Sequence, residues 1–214
     1  MAASASRRRT ERQRRSDGER THAAILEVAT RLASVEGIEG LTIGRLGDEL
    51  GVSKSGVYAH FGSKEQLQLE TIEAAQAIVG REVIAPAFEA PEGLPRLEAF
   101  CEAFLSYLER RVFPGGCFFA SLLAEMDARS GPLHDLMVAG SQAWTGALTE
   151  MAREAQRRGE IAADVDPAQL VFEFEAALDH ANYRFVLHRD PQELERGRTA
   201  IAGILERAQT ARTR

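Results

Sequence analysis

Between Gly51 and Leu67 the chain reads GVSKSGVYAHFGSKEQL, which gathers two lysines, serines, a tyrosine and a histidine into two short turns. Ammonium, hydroxyl and imidazole donors at this density suit an anionic, acceptor-rich surface. Nucleic acid offers both phosphate oxygens and base edges to such groups. A second constellation could support different chemistry. Cys117 follows the flexible pair Gly115-Gly116, and His134 or His180 approaching it in space would give the minimum of a cysteine nucleophile. Against that reading, PGG lacks the spacing of a phosphate-binding loop, the Asp and Glu residues form no catalytic signature, and a buried free thiol explains Cys117 equally well. Glu125, Asp127, Glu173 and Glu175 can hold a cationic group or face water. His180 and His188 share a helix face with Arg184 between them, which repels a bound cation, so no metal site and no cofactor are expected.

The elements that position these groups are helices. Ile25, Val28, Ala29, Leu32 and Ala33 repeat with the period of one helical face, with Ser16 and Glu19 ahead of them as a capping box and Gly37 as a stop. Thr42 caps a short second helix with Leu46 and Leu50 inward, and Gly47 permits close approach of a neighbour. Gly51 breaks it, and Ser53 caps a third helix that turns Val57 and Phe61 inward. Ser63 opens a fourth through a capping box with Gln66, running to about Ala85. The proline-rich stretch APAFEAPEGLP reads as loop. Further helices are predicted over about 96–113, 117–129, 132–158, 167–188 and 191–208, the last two opened by proline. The fold class is all-α, with about nine helices and no segment that alternates as a strand does.

Two short helices joined by a glycine turn, the second polar on its outer side, form a helix-turn-helix suited to a major groove. Residues 22–70, and LTIGRLGDELGVSKSGVYAHFGSKEQL in particular, resemble the amino-terminal domain of the tetracycline-repressor (TetR) family of bacterial transcription regulators. The shared features are the Thr opening the second helix, the Gly-Val-Ser turn, the Tyr-x-His-Phe ending and the Ser-Lys-Glu start. Gly47 stands where the family usually has alanine, and Gly56 where it often has Ser or Thr, so a hydroxyl is missing there. The resemblance makes Thr42, Ser53, Lys54, Ser55, Gly56, Tyr58, Ala59, His60 and Lys64 the candidate DNA-binding residues. Lys54 and Ser55 are expected at base edges, and Tyr58, His60 and Lys64 at phosphates.

The looser resemblance of PGGCFFA, the helix carrying Trp144 and the RRGEIAADVDPAQL ending implies a regulatory domain with a small-molecule cavity and a dimer interface from the last two helices. Phe104, Tyr107, Phe118, Phe119, Met126, Trp144, Phe172 and Tyr183 are the candidate cavity residues for an apolar or aromatic ligand. Phe174, Ala177, Ala181, Ile201, Ile204, Leu205 and Ala208 are the candidate dimer residues. Intramolecular core competes for each of them.

Charge divides the chain in the same place. The net charge of −6 separates into +2 over residues 1–62 and −8 over the remainder. Seven arginines precede Thr21, so residues 1–16 read as a basic flexible arm that either is solvated or follows phosphates. The helix-turn-helix domain then spans 17–62 and the helical regulatory domain 63–214. At 44% hydrophobic and 27% charged residues the composition is that of an ordinary globular protein. No membrane span, secretory signal or disulfide spacing is present, which places the chain in the cytoplasm. The function expected is a homodimeric, ligand-responsive regulator, most simply a repressor on a near-palindromic operator. The alternatives are a regulator without a small-molecule ligand, a nonspecific nucleic-acid coating protein, and a Cys117-dependent enzyme.

Overall fold

The computed structural model describes the backbone of residues 2–210 and the side chains of residues 17–209. It is helical throughout, with no strand among the described residues. The elements are α1 (Ala2–Glu36), α2 (Ile43–Leu50), α3 (Lys54–Phe61), α4 (Lys64–Val79), a π-helical turn (Gly80–Ile84), α5 (Ala85–Glu89), α6 (Leu94–Glu109), α7 (Phe118–Met126), α8 (Pro132–Arg157), α9 (Pro167–His188) and α10 (Gln192–Thr210). Because α4, the π-helical turn and α5 run on without a break, these make nine helical rods among the described residues. The chain divides into two compact units, Met1–Ala74 and Ala75–Arg214, and the division falls within α4.

In the first unit, Ile25, Ala29, Leu32 and Ala33 of α1 are buried, as their period requires, together with Leu41, Leu46, Val57, Phe61, Leu67 and Ile72. The α1–α2 connection is fixed from α4: buried Gln68 donates through Nε2 to the Ile38 carbonyl at 2.6 Å. Thr42 and Ser53 cap α2 and α3 by accepting from the Arg45 and Gly56 amides. Gly51 and Gly62 end those helices with φ of 65° and 71°, left-handed conformations that favour glycine. Two capping expectations need correction. The helix does not start at Ser16, because α1 extends back to Ala2 through a segment dominated by Ala and Arg, without glycine or proline to break it. At Ser63 only half of the expected box forms: Ser63 Oγ accepts from the Gln66 amide, while the Gln66 side chain bonds forward to Glu70.

The second unit surrounds α6, whose Leu97, Phe100, Cys101, Phe104, Leu105 and Leu108 are all buried. The expected loop at 85–95 is partly helical, since α5 occupies Ala85–Glu89. Pro86 explains the irregularity before it. Proline cannot donate, so the ladder shifts, and the Ala85 amide bonds to the Gly80 carbonyl five residues back. Gly93, with φ of 93°, brings the start of α6 against Glu160, whose Oε2 accepts from the Leu94 amide at 2.7 Å. Helices α9 and α10 pack closely at Gly197, where an added Cβ would lie 2.8 Å from that of Ala181. Here the sequence expectation and the structure part. Phe174, Ala181, Ile201, Ile204, Leu205 and Ala208, expected at a dimer interface, are buried within the chain itself, and Ala177 is half-buried.

Candidate nucleic-acid interface

Helix α3 is anchored on one side and free on the other. Val57 and Phe61 are buried, whereas Lys54, Ser55, Gly56, Tyr58 and Ala59 are exposed. The anchoring is tight because α2 and α3 meet at Gly47, where an added Cβ would stand 3.0 Å from the Val52 carbonyl oxygen. At the start of α3, Ser53 Oγ accepts from the Gly56 amide at 3.2 Å and lies 3.0 Å from Ser55 Oγ, so the cap orients both hydroxyls. Tyr58, 56% exposed, presents a phenol to solvent from a rigid backbone. Thr42, Ile43 and Gly44 from the start of α2 join Lys54, Ser55 and Tyr58 around one shallow depression.

His60 and Lys64 are placed differently from the rest. His60 is half-buried beside His22, with ring centroids 5.7 Å apart, and His22 in turn pairs through Nε2 with Glu70 at 2.6 Å. Lys64 Nζ is held at 3.0 Å by both the carbonyl and the carboxylate of Glu39, tying the start of α4 to the α1–α2 connection. Its ammonium is therefore already engaged within the protein. On α2, Arg45 lies between Glu36 and Glu49, whose carboxylates raise its pKa further. Sequence reasoning passed over Gly44, Glu39, His22 and Glu70. The partners of the last three are 25 to 48 residues away, and no local spacing reports such pairs. The arginine arm of residues 1–16 lies outside the residues whose side chains are described.

Five of the eight candidate cavity residues in the second unit form one chain of ring contacts. Trp144 lies 5.8 Å from Phe104, which lies 5.8 Å from Tyr107, and Phe113 links Tyr107 to Phe118 and Phe119. Met126 is buried. Phe172 and Tyr183 do not join them; both stand exposed on α9, at 66% and 59%, with Leu187 one turn beyond. The helical period explains this: with Phe174, Leu178, Ala181 and Phe185 facing inward, 172, 183 and 187 must face outward. A separate open groove of about 330 Å³ runs between α6 and α10, floored by Cys101, Leu105, Ile201 and Leu205 and edged by Glu98 and Arg198.

The thiols sit in surroundings unlike those of nucleophiles. Burial pushes Cys101 up to about 12 and Cys117 up to about 11, and Tyr107 is raised by burial as well. The Cys117 amide donates to Asn182 Oδ1 at 2.8 Å. No group of His, Cys, Asp or Glu side chains that could hold a metal ion occurs among the described residues, and no described helix is long and apolar enough to cross a membrane.

Comparison with known proteins assigns both units. Residues 25–71 match the family model "Bacterial regulatory proteins, tetR family", and residues 93–201 match "Tetracyclin repressor-like, C-terminal domain". The chain is 26% identical over 182 residues to the transcriptional regulator AcuR of Cereibacter sphaeroides, covering 83% of this chain and 82% of that one. It is 28% identical over 132 residues to the HTH-type transcriptional regulator LmrA of Bacillus subtilis, covering 61% and 70%. Among solved structures, a TetR transcriptional regulator from Chloroflexus aurantiacus superposes with a TM-score of 0.80 at 26% identity, covering 89% of this chain and 95% of that one.

Proposed function

The chain belongs to the tetracycline-repressor family of bacterial transcription regulators, and from that premise we propose that it is a homodimeric repressor released from a near-palindromic operator by a small apolar or aromatic molecule. The observation that carries this is α3, a helix locked by Val57 and Phe61 whose outer side is free for a major groove. The DNA-binding domain, expected over 17–62, extends to Ala74 because Leu67, Gln68 and Ile72 of α4 pack into the first unit, and the regulatory domain follows from Ala75, with the basic segment 1–16 available to phosphates. On this reading Lys54 and Ser55, with Gly56 and Ala59 leaving room around them, face base edges. Thr42, Ser53, Tyr58 and His60 lie alongside phosphates, and Lys64 reaches them only by sharing its ammonium with Glu39.

The dimer surface is the outward stripe of α9, where Phe172, Tyr183 and Leu187 are exposed large apolar groups on one face. It replaces the inward residues first expected there. Ligand enters beside Trp144, at one of the two half-buried ends of the aromatic chain. The role is regulatory and not catalytic, which the high pKa of the Cys117 thiol supports. A regulator of this kind works in the cytoplasm, where the bacterial chromosome lies. Selecting and sequencing the DNA fragments that purified protein retains tests the proposal. A palindromic consensus with half-sites about one helical turn apart or somewhat more is expected. Retention without sequence preference would leave the coating-protein reading in its place.

A further inference from the structure

Gly44 occupies the second position of α2, where nothing in the backbone demands glycine: its φ is not among the positive ones. In a helix, glycine is less favourable than alanine. Its environment supplies a reason for it. A Cβ on Gly44 would stand 3.1 Å from Cε, 3.3 Å from Nζ and 3.7 Å from Cδ of Lys54. The lysine stem therefore runs from the first residue of α3 across the bare backbone of α2, in the depression shared with Thr42, Ile43, Ser55 and Tyr58.

Lys54 itself has no internal purpose that the structure reveals. It is exposed, and among the described residues its ammonium has no hydrogen-bond or ion-pair partner. A cation in the first turn of a helix is also opposed by the helix dipole. What remains is an ammonium with its donors unspent, lying over the shallow floor between two helices. Resting on the DNA-binding reading of α3, we propose that Gly44 is a specificity-determining position that acts through Lys54. By offering no side chain it gives the lysine stem a shelf, and this fixes which base pair the ammonium reaches. The base edge recognised is guanine O6 and N7, a major-groove acceptor pair that suits a lysine donor. Gly44 touches no DNA in this arrangement. It is a positioning residue, and its effect exists only while Lys54 is present.

A four-protein cycle tests this: wild type, Gly44→Ala, Lys54→Ala and the double variant, each used to select from randomised DNA and then titrated on the selected site and its single-base variants. The wild type should prefer guanine at one position of each half-site by about tenfold or more. Gly44→Ala should reduce or move that preference and leave the other positions unchanged. Lys54→Ala should abolish it, and the double variant should match Lys54→Ala alone. Thermal melts of all four control for folding, since alanine suits a helix at least as well as glycine. The inference is overturned if Gly44→Ala leaves the consensus unaltered, or if it changes preference equally in the absence of Lys54. Wild-type protein that selects no consensus would instead overturn the DNA-binding reading itself.

Discussion

Ser55 and Tyr58 sit three residues apart on the same exposed side of α3, yet they should fail differently when altered. The Ser55 hydroxyl lies beside Ser53 Oγ, and in the proposed complex it faces base edges, so Ser55→Ala should change which bases are preferred. In the proposed complex, Tyr58 meets the phosphate backbone. Tyr58→Phe should therefore weaken binding to every sequence alike, by about 1.5–3 kcal/mol for a lost hydrogen bond to a charged group. Titrating both variants against operator and scrambled DNA checks this; identical changes in the two would refute the division of roles. The thiols give a second residue-scale expectation. With Cys101 and Cys117 pushed up to about 12 and about 11 by burial, neither is a thiolate near neutrality. Native protein should resist iodoacetamide and react at two sites once unfolded. Rapid native labelling of Cys117 would revive the enzyme reading.

At the level of elements, α3 carries a weakness that can be removed. Gly56 lies in its first turn with a φ outside the left-handed region, and an added Cβ would meet only Ser53 Oγ, at an ordinary 3.4 Å. Gly56→Ala should stabilise the fold by roughly 0.4–1 kcal/mol, mainly by restricting the unfolded chain. That corresponds to an unfolding temperature higher by roughly 1–4 °C, readable by calorimetry. A lower temperature would show the backbone there to be strained. Much of this architecture was legible beforehand because caps and apolar period are local signals. Thr42, Ser53, Gly51 and the face of Val57 and Phe61 all declare themselves within four residues. The start of α1 was misplaced because a good cap at Ser16 is also a tolerable helix interior when nothing around it breaks the helix. The α9 and α10 residues pose a different difficulty. Period shows that Phe174 and Ile201 each lie on the apolar face of its own helix, but cannot show whether the burying surface belongs to the same chain. Lys64 was read as a free cation, and only the fold brings Glu39 to it.

The whole molecule adds couplings that no single element contains. Glu193 of α10, only 6% exposed, is bonded by Arg184 of α9 and Arg196 of its own helix, and these hold its carboxyl down to about 2. A depressed carboxylate contributes stability that is complete above its unfolded pKa and is lost as pH falls through the folded one. The α9–α10 pair should thus weaken between about pH 4.5 and about pH 2, and Glu193→Gln should flatten that part of the acid unfolding profile. An unchanged profile would remove Glu193 from the account. The larger coupling is between operator and ligand. If the ligand prefers the arrangement of the dimer that DNA disfavours, linkage requires operator DNA to weaken ligand binding by the same factor that ligand weakens operator binding, typically about 1–3 kcal/mol. Trp144 is the single tryptophan of the chain and stands 4.7 Å from Phe100 and 5.8 Å from Phe104, so a molecule entering the aromatic chain must alter its emission. Titrating apolar and aromatic compounds with and without operator, following Trp144 emission and DNA release together, should yield two affinities whose ratio is the same by either route. A compound that quenches Trp144 with one affinity in both conditions is not the inducer. Were every compound that enters the site to behave so, the chain would regulate its operator without a small-molecule switch.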